Sequence, residues 1–243
     1  MLSQFSRTEL VFGKDATLKL QNSRVALFGL GGVGGYVLEA LARAGVGTLD
    51  IVDSDTVNLT NINRQLIALH STVGMLKTDA WEMRIKDINP SCRVIKHNCF
   101  YLPGNSSQFE FEKYDYVVDA IDTVTGKIEL AVQCFNSGVN IISSMGTGNK
   151  TDPTAFKVAD IYSTKVCPLA RVMRNELKKR NIPALKVVYS EEAPCVQDAC
   201  ALREYLENTP DAVKNSVPGS NPFVPPVAGL IIASEVIKDL IKR

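Results

Sequence analysis

The chain has 243 residues, of which 45% are hydrophobic and 22% charged, a composition that is typical of a globular protein and excludes a disordered or fibrous one. Its 27 basic and 26 acidic side chains leave a formal net charge of +1, so a nucleic-acid partner would have to be bound through a local basic patch. At this length we expect one large domain, or one domain with a small appendage.

The first half of the sequence alternates short apolar runs with segments of helical periodicity. After the first run, apolar residues recur at helical spacing from Val33 to Ala44, and Gly45 ends that helix. Strands that alternate with helices predict a mostly parallel sheet with helices on both faces, so we expect an α/β, Rossmann-like fold. The predicted strands are Arg24–Phe28, Thr48–Val52, Cys92–His97, Asp115–Ile121 and Val139–Ser143, and the other predicted helices are Met75–Ile88 and Val124–Asn136.

The pattern loosens beyond Gly146. Apolar runs predict two further strands on either side of a charged helix, and a segment rich in proline, asparagine, glycine and serine then predicts a long loop before a closing helix. We expect one domain over 1–243, with a nucleotide-binding core over 1–150 and a C-terminal extension over 151–243. The predicted elements of the extension are the strand Phe156–Tyr162, the helix Pro168–Arg180, the strand Leu185–Tyr189, the loop Asn208–Pro226 and a helix from Val227.

A glycine-rich loop connects the first predicted strand to the first predicted helix. Its glycines are Gly29, Gly31, Gly32 and Gly34, which allow a tight turn and let backbone N–H groups approach a phosphate at the helix N-terminus. Asp53 ends the second strand, where a carboxylate can accept hydrogen bonds from a ribose. The alternative is a turn without a ligand. The loop predicts a nucleotide site, but the same pattern fits NAD, FAD and ATP.

A long polar loop over 53–65 favours ATP. It places Asp55, Asn61 and Arg64 beyond the carboxyl end of the sheet, while Lys77 begins the next helix and Asp122 follows the fourth strand. Two cations near a carboxylate suit a triphosphate with Mg²⁺, because the cations hold phosphate oxygens and the aspartate holds the metal. A hydride-transferring site needs no such cluster, so an NAD-dependent oxidoreductase is disfavoured.

The joint spacing of these residues resembles the ubiquitin-activating-enzyme-like adenylating family over about residues 5–150. The resemblance implies that Asp53 holds the ribose of ATP, that Asn61, Arg64 and Lys77 hold the phosphates, and that Asp122 holds Mg²⁺. A substrate carboxylate would then attack the α-phosphorus to form an acyl-adenylate and release pyrophosphate. The motifs are Gly29-x-Gly31-Gly32-x-Gly34, Asp53-x-Asp55-x-Val57-x-x-x-Asn61-x-x-Arg64-Gln65, Val73-Gly74-x-x-Lys77 and Asp119-x-x-Asp122.

Ser6 and Arg7 match the segment of that family whose arginine reaches into the ATP site of the partner subunit. The resemblance therefore implies a homodimer. It adds Arg7 to Arg64, Lys77 and Asp122 as a catalytic residue, and it implies that the extension over 151–243 makes substrate and dimer contacts. A non-catalytic nucleotide-binding protein is disfavoured, since every catalytic position of the motif is occupied.

The second half resembles the branch of this family that uses ATP to cyclise threonylcarbamoyladenosine in tRNA, with net loss of water. The resemblance implies that the anticodon-loop nucleoside of tRNA is the substrate. The matching motifs are Gly146-Thr147-Gly148-x-x-x-Asp152-Pro153-Thr154, Pro168-Leu169-Ala170-Arg171, Val187-Val188-Tyr189-Ser190-x-Glu192, Pro218-Gly219-Ser220 and Pro226-Val227-Ala228-Gly229.

The cysteines bear on the alternative, an adenylyltransferase that activates the C-terminus of a ubiquitin-like sulfur carrier. Members with that activity usually hold zinc with two CxxC pairs, whereas the six cysteines here form no such pair, so no zinc is expected. A sulfur-relay protein is kept as a further candidate partner. Cys167 precedes the charged helix, and we favour a structural role for it over a nucleophilic one.

Arg171, Arg174 and Lys178 share one face of the charged helix by their spacing. Such a stripe is either a solvated surface or a contact for tRNA phosphates. The scattered cysteines and the absence of an apolar signal core near the first residues predict a cytoplasmic protein without stable membrane insertion.

Overall fold

The computed structural model describes residues 2–209 and 217–242. Its strands are β1 (Arg24–Phe28), β2 (Thr48–Val52), β3 (Arg93–His97), β4 (Tyr116–Asp119), β5 (Asn140–Ser144), β6 (Phe156–Asp160) and β7 (Lys186–Ser190). They form a seven-stranded sheet in the order β3-β2-β1-β4-β5-β7-β6. Neighbouring strands are parallel except for β6 and β7, which pair antiparallel. The predicted mostly parallel α/β sheet is therefore confirmed.

Helices cover both faces of this sheet. Along β1, Val25 and Leu27 join one apolar cluster while Ala26 and Phe28 join another, because successive side chains of a strand point to opposite faces. The first cluster includes residues of α2, α3, α4 and α8, and α5 and α6 pack on the other face. The helices are α1 (Ser6–Phe12), α2 (Lys14–Asn22), α3 (Gly34–Ala44), α4 (Lys77–Ile88), α5 (Val124–Ser137), α6 (Pro168–Lys179), α7 (Ala199–Glu207) and α8 (Val224–Lys242).

The predicted elements of the first half agree with the structure to within two residues at each end. The helix expected over Met75–Ile88 begins at Lys77, because Leu76 is extended and forms a β-bridge with Thr56. The helix α2 was not predicted. Its neighbour α1 contains the Ser6–Arg7 segment that the family resemblance places in a helix.

The prediction for the loop Asn208–Pro226 is wrong at its end. The helix α8 already begins at Val224, and Pro225 and Pro226 occupy its first turn, where a missing N–H costs no intrahelical hydrogen bond. Residues 210–216 of this loop lie outside the described residues. The helix α7 was not predicted either; it is capped by Asp198, whose Oδ1 accepts a hydrogen bond from Ala201 N at 2.7 Å.

The carboxyl ends of the strands position the site. The strand β1 lies between β2 and β4, so the order of the sheet reverses there and a crevice opens beyond the strand ends. Close packing brings α8 to the same place: a Cβ added at Gly229 would lie 2.4 Å from Val33 O, at the start of α3. Within the described ranges, no helix has the length and apolar character needed to cross a membrane.

Candidate active site

The glycine-rich loop turns as the sequence predicts. Gly29 has φ +90°, and a Cβ added there would lie 2.6 Å from Ala120 O. A Cβ at Gly34 would lie 1.9 Å from Gly29 O, so neither position has room for a side chain. At Gly31 the nearest atom to an added Cβ is Gln65 Nε2 at 3.8 Å. The loop therefore closes on itself at its two ends and exposes its middle.

That exposed middle borders a cavity of about 830 Å³. Loops that follow β1, β2, β3, β4 and β5 line it, together with Tyr205 from α7, the segment 218–220 and Pro225 from α8. Nine of the predicted ATP-site residues meet in this cavity: Gly29, Gly31, Gly32, Asp53, Asp55, Asn61, Arg64, Lys77 and Asp122. Gly34 is not among the lining residues, because its contribution is to the turn itself.

Arg64 is a cation without an acidic partner in the described part of the chain. Its Nη1 donates to Thr60 O at 3.1 Å and to Asn63 Oδ1 at 2.9 Å, both neutral acceptors. Burial lowers the pKa of the Arg64 guanidinium, an effect that the nearby Tyr205 partly opposes. A partly buried guanidinium that no carboxylate neutralises attracts an anion.

Lys77 is held differently. It is 6% exposed, and its Nζ lies 2.7 Å from Asp55 Oδ2 and 3.6 Å from Asp53 Oδ1. Asp53 also accepts hydrogen bonds from Leu30 N at 2.7 Å and from Asp55 N at 2.9 Å. Asp53 thus ties the end of β2 to the glycine-rich loop, a contact that its position in the sequence did not reveal.

Two polar side chains of the site can act as ligands. Asn61 Oδ1 accepts a hydrogen bond from Asn58 N at 3.1 Å, which leaves its Nδ2 to donate to a ligand. Asp122 is exposed, and its one hydrogen bond is a 3.4 Å contact from Thr123 Oγ1. No ion pair engages Asp122 within residues 2–209 and 217–242.

The described residues contain no group of three or more histidine, cysteine or acidic side chains arranged to hold a metal ion. Mg²⁺ does not require such a group, since it is usually bound through one or two carboxylates, waters and the phosphates of a nucleotide. The single free carboxylate of Asp122, in the same cavity as Arg64 and the glycine-rich loop, fits that donor set.

Gln65 also borders the cavity, although no role was predicted for it beyond its place in the motif. It is 7% exposed, and its buried Oε1 has no hydrogen-bond partner among residues 2–209 and 217–242. Tyr205 is a second lining residue that the sequence did not indicate, because α7 itself was not predicted. Only its place on a short amphipathic helix could have signalled it.

Besides Gly34, four predicted residues lie outside the cavity. Arg7 is exposed on α1, a helix that buries none of its residues in this chain. The predicted basic stripe is divided: Arg171 and Lys178 are exposed, whereas Arg174 is half-buried and donates from Nη1 to both Thr164 O and Thr164 Oγ1. Arg174 therefore connects α6 to the preceding loop. Of the three cations predicted to share one face, only Arg171 and Lys178 are exposed and without an ion pair among the described residues.

The cysteines occupy two kinds of position. Cys167 is 2% exposed and precedes the first residue of α6, which agrees with the structural role favoured for it. Cys195 and Cys200 are exposed.

Comparison with known proteins agrees with this geometry. A sequence model described as the ThiF family matches residues 5–243. The tRNA threonylcarbamoyladenosine dehydratase of Bacillus subtilis is 47% identical over 244 residues, which cover 100% of this chain and 96% of that protein. The crystal structure of the Escherichia coli tRNA N6-threonylcarbamoyladenosine dehydratase in complex with ATP matches with a TM-score of 0.86 and 30% identity, over 98% of this chain and 94% of that one.

A relative named for the alternative activity matches less of the chain. The adenylyltransferase and sulfurtransferase UBA4 of Vanderwaltozyma polyspora is 40% identical over 138 residues, or 57% of this chain and 31% of that protein.

Proposed function

Because the chain belongs to the ThiF family, we propose that it is an ATP-dependent adenylating enzyme that cyclises threonylcarbamoyladenosine in tRNA. The observation that carries the proposal is Arg64, a partly buried guanidinium whose partners among the described residues are neutral, beside a glycine-rich loop with space at Gly31. Such a site favours the phosphates of a nucleotide. The substrate follows from the relative that is 47% identical over the whole chain.

The proposed reaction has two steps. A carboxylate oxygen of the threonyl group attacks the α-phosphorus of ATP, and the bond to pyrophosphate breaks. The carbamoyl group then attacks the activated acyl carbon, loses a proton and expels AMP, which carries away the carboxylate oxygen. Arg64, Asn61 and Lys77 would orient the phosphates and neutralise their charge, so the protein supplies position and electrostatics rather than a covalent intermediate.

Mg²⁺ belongs to this proposal. The free carboxylate of Asp122 borders the same cavity as Arg64, so it would hold the metal together with phosphate oxygens. The bound ion would withdraw charge from the pyrophosphate that leaves. The same cavity holds Asp53 close to the glycine-rich loop, in the position proposed for the ribose contact. No step of this reaction requires zinc.

A homodimer completes the proposed site. Arg7 is exposed, and Leu10 and Val11 on the same helix are 87% and 74% exposed, which is unusual for apolar side chains at the surface of a monomer. We propose that α1 packs on a second copy and that Arg7 enters its ATP site. The extension over 151–243 would then contact the second copy with one part of its surface and tRNA with another.

For tRNA we propose a contact through the two free cations of α6, Arg171 and Lys178. The modified nucleoside would enter the cavity, where Tyr205 from α7 lines the side near Arg64. A tRNA substrate also fits a cytoplasmic location. If a sulfur carrier is the substrate instead, the exposed Cys195 and Cys200 are the thiols that a sulfur-relay partner would reach.

The test is pyrophosphate release by the purified chain with ATP and Mg²⁺. One arm contains tRNA that carries open threonylcarbamoyladenosine, and the other a ubiquitin-like sulfur carrier. We expect release only in the tRNA arm, and its loss in Arg64→Ala but not in Arg24→Ala, a matched arginine outside the cavity. Release only with the carrier would establish the alternative, and release in neither arm would refute adenylation of both substrates.

A further inference from the structure

A buried ion pair lies directly behind one wall of the cavity. Lys127, in the first turn of α5, places its Nζ 3.0 Å from Asp119 Oδ1 and 3.1 Å from Asp119 Oδ2. Lys127 is 1% exposed and Asp119 is fully buried at the end of β4. Neither residue lines the cavity, so neither is in a position to bind the nucleotide itself.

The same ammonium joins two neighbouring strands. Lys127 Nζ also donates to Ser144 O at 2.8 Å and lies 3.4 Å from Ser143 Oγ. Ser143 Oγ in turn donates to Asp119 Oδ2 at 2.5 Å. All these acceptors stand at the carboxyl ends of β4 and β5, so one buried cation fixes both strand ends to α5.

Each of these strand ends continues into a loop that borders the cavity. After β4, residues 120–123 carry Asp122, and after β5, Thr147 and Gly148 form the adjacent wall. Asp119 Oδ1 accepts a hydrogen bond from Ile121 N at 3.3 Å. A Cβ added at Gly126 would lie 2.7 Å from Ile121 Cδ1, so α5 packs tightly on the loop from outside.

Asp122 depends on this support for its position. Its carboxylate is exposed, forms no ion pair within the described residues and accepts one long hydrogen bond, from Thr123 Oγ1 at 3.4 Å, so its position is set mainly by its backbone. A carboxylate that binds a metal through its own backbone position needs that backbone fixed.

Stability alone is a weak reason for such a pair. Removing two charges from water is costly for each ion, and replacing a buried ion pair by apolar residues of similar volume is often neutral or stabilising. A buried ammonium that bridges two loops of one cavity wall is better explained by the geometry that it imposes.

We propose that Lys127 and Asp119 are positioning residues for Mg²⁺–ATP: through the ends of β4 and β5 they hold Asp122 and the wall at Thr147 and Gly148 where the metal-bound nucleotide requires them. This inference rests on the proposed function, because it assumes an adenylating site that uses Mg²⁺. It assigns a task to two residues that touch neither the nucleotide nor the substrate.

The test measures ATP affinity by calorimetry, with Mg²⁺ and with EDTA, for the full chain and for Lys127→Met. We expect the wild-type chain to bind ATP more tightly with Mg²⁺. We call the ratio of ATP affinity with Mg²⁺ to ATP affinity in EDTA the Mg²⁺ gain. In Lys127→Met this Mg²⁺ gain should fall by about tenfold, as is typical when a residue that orients a metal ligand is removed, while ATP affinity in EDTA changes little. Asp122→Asn should lose the gain altogether.

Two further variants make the result decisive. Ser143→Ala removes one hydrogen bond to Asp119 and keeps the ion pair, so it should fold and show a smaller loss of the Mg²⁺ gain. Arg24→Met breaks an ion pair outside the cavity, in which Arg24 Nε lies 2.8 Å from the fully buried Asp50, and should lower stability without changing the gain in ATP affinity from Mg²⁺.

An unchanged gain in both Lys127→Met and Ser143→Ala would overturn the inference and leave the proposed function intact. The same conclusion holds if Lys127→Met does not fold and Ser143→Ala keeps the full gain. An equal loss in Arg24→Met would also overturn the inference, because the effect would then be one of stability. A wild-type chain that does not bind ATP at all would overturn the proposed function together with the inference.

Discussion

The two ends of the sheet differ in whether their charged side chains have partners of opposite charge. At the amino ends of the strands, charged side chains neutralise one another: Arg24 pairs with Asp50, and Lys186 lies 2.7 Å from Glu235 and 2.9 Å from Asp239. At the carboxyl ends, Lys77 and Lys127 are also paired with carboxylates, but Arg64 and Asp122 face a cavity without partners of opposite charge in the described part of the chain. The paired charges are neutralised within the chain, whereas Arg64 and Asp122 require a ligand of opposite charge.

The pKa values of the paired carboxyl groups Asp50 and Asp239 reflect this neutralisation within the chain. Burial alone would raise the pKa of Asp50, but hydrogen bonds from His97 and Arg24 outweigh it, so the pKa is lowered. The pKa of Asp239 is lowered in the same way, since hydrogen bonds from Lys186 and Tyr116 exceed the effect of burial. These carboxylates are thus stabilised as anions before any ligand binds.

The largest effect is expected from Arg64→Ala. Loss of this donor should reduce tRNA-dependent pyrophosphate release by about 10²–10³-fold and leave thermal stability nearly unchanged, because Arg64 has no charged partner to lose among the residues that the structure describes. Rate measurements paired with thermal unfolding check both parts. If activity fell only in proportion to the loss of folded protein, Arg64 would serve the fold, as the paired charges at the amino ends do, and not the ligand.

The next effect concerns Arg7 and tests whether the cavity is shared between two copies. Arg7→Ala and Arg64→Ala should each be nearly inactive alone. If each site takes Arg64 from one copy and Arg7 from the other, an equimolar mixture that re-forms dimers should regain about a quarter of wild-type activity, as expected for one intact site in each mixed twofold dimer. A mixture as inactive as its components would show that Arg7 does not act across an interface.

A smaller effect is expected at the exposed face of α6. Charge reversal at Arg171 and Lys178 should weaken tRNA binding at low salt and lower the slope of log affinity against log salt by about one for each phosphate that is no longer bound. Lys179→Glu is the control, since Lys179 is 2.6 Å from Glu176 and is already paired. Titrations at several salt concentrations check this, and equal affinities for both variants would exclude the patch.

The smallest effect on activity is expected at the amino ends, from Lys186→Met. Turnover should stay at the wild-type level, while the free energy of unfolding falls by about 1 kcal/mol, as for a partly exposed ion-pair network. The part of the free energy of unfolding that Lys186→Met loses should depend on pH. Glu235 and Asp239 have folded-state pKa values below their ordinary values of 4.5 and 3.8.

Their contribution to stability is therefore present above those ordinary values and disappears as the pH falls through the lower folded-state values. Denaturant titrations should find wild type and Lys186→Met different at pH 7 and converging in acid. A difference that persists unchanged at low pH would show that Lys186 stabilises the fold by packing alone.

The sequence was most informative where local rules apply. The glycines after β1 and the polar residues after β2 and β4 could be placed at one edge of the sheet, because parallel strands bring their carboxyl ends together. Nine predicted residues accordingly meet in one cavity. Their roles toward ATP and Mg²⁺ stay predictions.

Contacts between distant segments were beyond the sequence. Arg174 has the same spacing as Arg171 and Lys178, yet it binds Thr164, since a helical repeat does not reveal which cation meets a neighbouring loop. Lys127 looks like an ordinary surface lysine of an amphipathic helix, and only the pairing of β4 with β5 places three acceptors around it. The start of α8 at Val224 was missed because prolines indicate a loop as readily as a first helical turn.

The most direct test of the central claim is mass spectrometry of nucleosides from tRNA that carries open threonylcarbamoyladenosine, after incubation with the purified chain, ATP and Mg²⁺. We expect the cyclic nucleoside, lighter by one water, to appear in step with AMP and pyrophosphate, with one of each formed per ring closed, and we expect Arg64→Ala to abolish all three. Unchanged tRNA in the presence of active, ATP-binding protein would contradict it.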